Sequence, residues 1–437
     1  METMWTESLW GDEGFSALAV QKPFWETMGV VMRDTAPPLF YILGWAWGRV
    51  FGFSEVSLRS LSFLLLVGAS GFTFLILRKI GKESLPALAG ALLAFFSPFL
   101  FPYAFEFRMY ALFAFMTLGS VYFFISQRWK GYVIFTTLAL YSHHYTLFTV
   151  LGQFLWYLIA EFDWKHLKTA HRQLWPFFLV GGLYLPWIYP FSIQLARVKG
   201  SGFWLSVPSL GEISNLLYRF ATGGVMVSRR TLAAVLVVIL LVAKQWKTFG
   251  KKWLALCVIF LMPIILSIII SYIITPIFYD RYLLSVFIGM SVLIVVGMRK
   301  WAWPALLLLL ALYIYSSVGL FTHPTKRNFR DLANYVKQHE QPGDFRINYN
   351  GKAHHLWESK YYGIDAPIYT PNGPLPLYVG TAQMTDEDTI QAIPSDISRL
   401  EVFTSESVEQ VKLPKEWGLE ESKEFDELKV LWYTPLK

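Results

Sequence analysis

Asp12 and Glu13 stand side by side in Trp10-Gly11-Asp12-Glu13-Gly14, and Asp34 follows Arg33 just before Pro37-Pro38. A carboxylate within hydrogen-bond reach of a hydroxyl or amine can take its proton as a general base. A low-dielectric pocket raises such a group's pKa toward working pH. Clustered carboxylates also suit a hard divalent cation, so an ion held by Asp12 and Asp34 is a second reading. A solvated acidic loop is the third.

Arg59, Arg108 and Arg281 fall near the ends of apolar runs. Charges at such depth are expensive and usually face a cavity or a partner. A guanidinium fork binds phosphate bidentately, so three on one side would suit a phosphate or pyrophosphate. Pairing with Glu55, Glu106 and Asp280, or snorkelling to headgroups, is the plainer alternative. His143-His144 lies between two short apolar segments and could donate to the same phosphate. Adjacent helical residues point about 100° apart, so at most one faces a common site. His354-His355 has no supporting ligands and reads as surface. The single cysteine, Cys257, excludes an intramolecular disulfide and a thiolate cluster, and reads as an inert buried thiol.

These groups need elements to hold them. The chain has 437 residues, 54% of them hydrophobic, with 18 Trp, 23 Tyr and 36 Phe. That is too apolar for an ordinary soluble protein. Uncharged runs recur that can cross about 30 Å of hydrocarbon as helices, and the Trp and Tyr fit interfacial belts. The fold class is a polytopic α-helical membrane protein. Ten spans are read, at about 59–77, 84–104, 109–127, 131–143, 145–161, 174–191, 231–243, 253–275, 282–298 and 301–320. Alternate loops collect Arg78, Lys79 and Lys82; Arg128 and Lys130; Lys165, Lys168 and Arg172; Lys244, Lys247, Lys251 and Lys252; Arg299 and Lys300. The positive-inside rule makes these cytoplasmic. The acidic pair, the 192–230 loop, Asp280-Arg281 and the tail then face outward.

Residues 1–321 carry 25 Lys+Arg against 13 Asp+Glu, a balance of +12, while 322–437 carry 13 against 18, a balance of −5. The basic excess belongs to loops between spans and is not a nucleic-acid footprint. Three regions follow: an outward loop at 1–58 holding the acidic pair and an interfacial helix at 38–52, a transmembrane body at 59–321, and a small soluble α/β domain at 322–437. The spacing of Phe329, Leu332 and Val336 predicts a helix over 326–340, with strands at 345–350, 366–370, 398–404 and 428–434. The sequence before the acidic pair has neither a basic n-region nor an apolar h-region, so an outward acidic pair means either that a short acidic tail is translocated or that a first helix lies upstream of Met1, the second being the favoured expectation.

Taken in order, several segments resemble the GT-C membrane glycosyltransferases, and most closely glycosyltransferase family 39 and the related aminoarabinose transferases. They are Trp10-Gly-Asp-Glu13, Arg33-Asp-Thr-Ala-Pro-Pro-Leu-Phe-Tyr41, Phe51-Gly-Phe-Ser-Glu-Val-Ser-Leu-Arg59, Phe105-Glu-Phe-Arg-Met-Tyr110, Tyr141-Ser-His-His-Tyr145 and Asp280-Arg-Tyr-Leu-Leu284. The resemblance implies inverting transfer of a sugar from a polyprenyl-phosphate donor to an extracytoplasmic lipid, glycan or protein. It makes Asp12 the general base and has Glu13 and Asp34 shape the pocket or hold a cation. Arg59, Arg108 and Arg281, with Tyr282 and His143 or His144, become the phosphate-binding set. Many members carry histidine before the double proline, where this chain has Ala36. A transporter or lipid flippase is the rival from another class. Such proteins show paired repeats and broken helices near the midplane, and no repeat is visible here.

Overall fold

The computed structural model describes residues 2–200, 204–222, 250–297, 303–349, 354–375 and 380–436. Its first three helices are α1 (Gly11–Gln21), α2 (Phe24–Arg33) and α3 (Leu39–Phe51). The acidic pair was expected in a loop and instead occupies the first turn of α1. Two glycines weaken helical propensity there. Packing overrides them: Phe15, Ala17, Ala19 and Val20 are buried. Carboxylates at this end also complement the helix dipole.

The apolar body follows as α4 (Glu55–Lys79), α5 (Ser84–Phe95), α6 (Tyr110–Ile125), α7 (Trp129–Leu140), α8 (Thr146–Ala160), α9 (Ala170–Gly200), α10 (Leu210–Thr222), α11 (Lys251–Ile273), α12 (Leu284–Gly297) and α13 (Trp303–Thr322). Among the described residues, four helices are long and apolar enough to cross a bilayer: Glu55–Lys79, Leu167–Gly200, Lys251–Ile273 and Trp303–Thr322. Three shorter apolar helices accompany them, Ser84–Phe95, Tyr110–Ile125 and Thr146–Ala160. Ser54 caps α4 by accepting the Ser57 N–H.

The segment read as one span over 84–104 is broken. Helix α5 ends at Phe95, and the chain resumes as a 3-10 turn, Phe101–Phe105. Pro98 lies in the gap, where its ring and missing N–H oppose a continuous helix. The 192–230 stretch, expected as loop, carries the end of α9 and all of α10. The expected span at 231–243, and Lys244, Lys247, Arg299 and Lys300, lie outside the described residues.

Beyond α13 come α14 (Phe329–Gln338), β1 (Asp344–Asn348), α15 (His354–Tyr361), β2 (Ile368–Tyr369), β3 (Thr389–Ile390), β4 (Arg399–Thr404), β5 (Trp417–Phe425) and β6 (Leu428–Pro435). They build a sheet of order β3-β2-β1-β4-β6-β5, with β6 antiparallel to both its neighbours and the remaining pairs parallel. Helix α14 covers one face through Phe329, Leu332 and Val336 against Phe403, Val430 and Trp432. This lobe grips the helical part. Arg330 pairs with Glu55 at 2.7 Å, and Lys326 pairs with Glu13 at 2.9 Å. Helix α15 lies directly on α1, where Phe15 and Trp357 meet edge to face at 5.6 Å.

Candidate active site

The two neighbouring carboxylates of α1 point to opposite fates. Glu13 faces inward and is fully buried. Its Oε1 accepts from Arg59 Nε at 3.0 Å and from the Phe107 backbone N–H at 2.8 Å. Its Oε2 accepts from Arg59 Nη2 at 2.8 Å and from Lys326 Nζ at 2.9 Å. Burial alone would raise its pKa. Arg59 and Lys326 outweigh that and hold the carboxyl at about 2. Arg59 also donates to the carbonyls of Trp5, Glu7 and Ser8. Every N–H of its guanidinium thus has an acceptor within the protein, which leaves none for a phosphate.

Asp12, one residue earlier, keeps part of its surface open. Its Oδ2 lies 3.8 Å from Arg281 Nη1, and its Oδ1 lies 3.8 Å from His354 Nε2. Arg281 sits among Tyr279, Trp10 and Tyr110, 5.0, 5.6 and 5.8 Å from their ring centres. Rings at such distances attract a cation and fix its place. Arg108 approaches from the other side, and its Nη1 donates to Ser16 Oγ at 2.8 Å and to the Asp12 carbonyl at 3.2 Å. Among the described residues, the buried Nε atoms of Arg108 and Arg281 have no partner. These two arginines, unlike Arg59, retain donors for an anion.

Asp34 closes this neighbourhood. Tyr41 Oη donates to its Oδ2 at 3.3 Å. Burial raises the Asp34 pKa, with the Arg108 charge working against it. His143 and His144 diverge, as adjacent positions must. His143 packs on Phe113 at 4.6 Å and Tyr282 at 5.1 Å, and its Nδ1 accepts the Tyr145 N–H. His144 turns toward α9, where its Nε2 meets Gln194 Oε1 at 3.0 Å, and burial brings its pKa to about 4. Gln194 in turn donates to the Val31 and Ala36 carbonyls. Tyr282 stacks near Tyr110 and contacts Tyr145 and Tyr279, which puts it in the same aromatic wall as Arg281. Among the described residues, no group of three or more His, Cys, Asp or Glu gathers to hold a metal ion.

No family model matches the chain, and no curated protein matches it. Its fold is matched by the crystal structure of ArnT from Cupriavidus metallidurans in the apo state, with a TM-score of 0.66 at 13% identity over 92% of this chain and 90% of that one. The ArnT structure bound to undecaprenyl phosphate matches with a TM-score of 0.63 at 11% identity, over 98% and 96% of the two chains. The chain has the ArnT-like fold.

On this fold the site draws on more residues than sequence reasoning selected. His354, read as surface, stands against Asp12, and its ring meets Trp10 at 5.9 Å. His355 is buried beside Arg327. Glu106 is half-buried near the Arg281 and Lys326 charges, and burial raises its pKa despite them. Glu358 is buried on α15, with its pKa pushed up to about 8 by burial against the pull of Arg327 and the Gly11 N–H. The sequence held one usable signal for α15: histidines, Trp357 and Glu358 within two turns are unusual for a purely solvated helix.

Proposed function

We propose that the chain is a membrane glycosyltransferase that takes a sugar from a polyprenyl-phosphate donor and passes it, with inversion, to an acceptor on the extracytoplasmic side. The ArnT-like fold supports a polyprenyl-linked substrate, since one matching ArnT structure holds undecaprenyl phosphate. The observation that carries the reading is the placement of a partly open Asp12 carboxylate 3.8 Å from Arg281, with Arg108 beside the same turn. A base and two cations with unspent donors are what displacement of a phosphate requires.

In this reading Asp12 takes the proton from the acceptor hydroxyl or amine. The acceptor atom bonds to the anomeric carbon as the carbon–oxygen bond to phosphate breaks. The lipid phosphate leaves with the electron pair. Arg108 and Arg281 neutralise the charge growing on it, which stabilises the transition state more than the ground state. Asp34, with its raised pKa, lies under the Arg108 charge and shapes the acceptor end. His143 and Tyr282 wall the pocket, and His144 fixes α9 to the turn before α3. Glu13 and Arg59 form the frame under the base rather than the base or the phosphate grip.

The test uses the full chain in lipid nanodiscs with a panel of undecaprenyl-phosphate-linked pentoses and hexoses. Asp12→Asn should lower transfer by at least about a hundredfold, the usual loss of a general base, while undecaprenyl phosphate still binds. Wild-type transfer by that variant at equal protein level would remove the base. Failure of the unaltered chain to bind undecaprenyl phosphate would remove the donor class.

A further inference from the structure

The loop-facing end of α1 is covered by α15, an element of the C-terminal lobe, and the fit is unusually close. A Cβ on Gly11 would lie 2.5 Å from His354 Cβ, and one on Gly14 would lie 2.9 Å from the Trp357 carbonyl oxygen. Two glycines one turn apart thus let α15 rest on the backbone of α1. The Gly11 N–H reaches Glu358, one turn further along α15. This contact carries His354 to Asp12. The carboxylate then stands between two fixed groups, Arg281 facing Oδ2 and His354 facing Oδ1, each at 3.8 Å. Both Asp12 and His354 remain partly exposed, at 31% and 43% of their side-chain surface, so the pair borders open space.

We propose that His354 is a positioning residue for Asp12: its imidazole holds the carboxylate in the rotamer that meets the acceptor, so that the C-terminal lobe supplies part of the catalytic site. This rests on the reading of Asp12 as the base. A neutral imidazole offers one N–H, and a carboxylate oxygen accepts it without giving up its remaining lone pairs. Asp12 therefore keeps a free lone pair for the acceptor proton. Catalytic contacts of this kind commonly shorten when substrate is bound. A neighbouring donor that fixes a base preserves the geometry on which transfer rate depends steeply. The charged groups around the pair are Arg281 and Arg108 beside Asp12, the carboxyls of Asp34 and Glu106, Glu358 one turn along α15, and Arg327, which acts on Glu358.

Two measurements on the full chain in nanodiscs test this. The first needs no turnover. With histidine labelled at its ring, the His354 resonance should titrate at lower pH in Asp12→Asn than in the unaltered chain, because a nearby carboxylate favours the imidazolium. An unchanged midpoint overturns the contact. The second separates roles by rate. His354→Ala should lower kcat about tenfold, with the donor KM and undecaprenyl phosphate binding unchanged, and His354→Gln, which keeps an N–H, should recover most of that loss. A wild-type rate for His354→Ala, or equal losses for Ala and Gln, overturns the positioning role. Loss of transfer in Asp12→Asn with no change in His354→Ala sinks this inference and spares the parent reading. Full transfer by Asp12→Asn sinks both.

Discussion

Glu13 and Arg59 meet through two parallel hydrogen bonds, 3.0 and 2.8 Å long, with both side chains shut off from solvent. The pair joins α1 to α4, and the same carboxylate also holds Lys326 and the Phe107 N–H. Removing one partner leaves a buried charge uncompensated, which typically costs about 3–5 kcal/mol. Glu13→Gln and Arg59→Met should therefore each lower the melting temperature sharply and reduce folded yield in detergent. The double substitution should be less than additive, because neither orphaned charge remains. Thermal unfolding of the three variants reads this directly.

The same pair sets an acid limit. The Glu13 carboxyl titrates at about 2 in the folded protein against 4.5 for the free side chain. A depressed carboxylate contributes stability that is fully present above the unfolded value and lost as pH falls toward the folded one. Stability should decline between about pH 4.5 and 2, and Glu13→Gln should lack that component of the slope. Parallel unfolding curves for the two proteins across this window would show that Glu13 does not carry it.

Glu358 predicts the opposite sign. Burial raises its carboxyl to about 8, against the pull of Arg327, and its Oε2 has no partner among the described residues. The unfolded chain releases this proton at lower pH than the folded one. Its contribution is therefore complete below about pH 4.5 and is lost as pH rises toward 8. Glu358→Gln should match the unaltered protein near pH 4.5 and exceed it increasingly toward pH 8. A melting-temperature gap that shrinks over that range would refute the assignment.

Much of the body was legible because its signal is local. Helices α4, α11 and α13 are long apolar runs bounded by charge, and those runs coincide with three of the helices able to cross a bilayer. The site was legible only as a set of residue types. Whether Glu13 or Asp12 faces a pocket depends on which side of α1 meets α4, and adjacent residues in a helix differ by about 100°. Arg59 and Arg281 look alike in sequence, yet only contacts with Trp5, Glu7 and Ser8 carbonyls reveal that Arg59 is spent. The contact of His354 with Asp12 joins residues far apart in the chain, and no periodicity encodes it. Strand β5 escaped because most of its side chains are exposed and a cluster of them is charged, Glu420, Glu421, Lys423 and Glu424, as on many edge strands.

The two arginines with unspent donors should separate from Arg59 in their effects. Arg281→Ala should cost less stability than Arg59→Met, since the residue sits in the short 3-10 turn Asp280–Leu283 and keeps part of its side chain open to solvent, whereas Arg59 is fully buried. Its transfer rate should fall about a hundredfold, the usual loss of one donor to a developing anion. Arg281→Lys should recover little, because an ammonium lacks the planar fork. Stability loss comparable to that of Arg59→Met would make Arg281 structural instead.

Gly14→Ala tests whether the seat of α15 on α1 matters for chemistry. The new Cβ would come within 2.9 Å of the Trp357 carbonyl oxygen and 3.0 Å of its carbon. Those are backbone atoms, so no side chain can swing aside. The two helices must separate by several tenths of an ångström, and overpacking of this kind costs about 1–3 kcal/mol. Alanine also favours the helix over glycine by about 1 kcal/mol, which offsets part of that. The net loss of stability should be small, while the separation carries His354 away from Asp12. Transfer should fall more than stability does. Adding His354→Ala to Gly14→Ala should then lower the rate little further, because both act through one contact. Independent, multiplicative losses in that cycle would mean that the glycine serves packing alone.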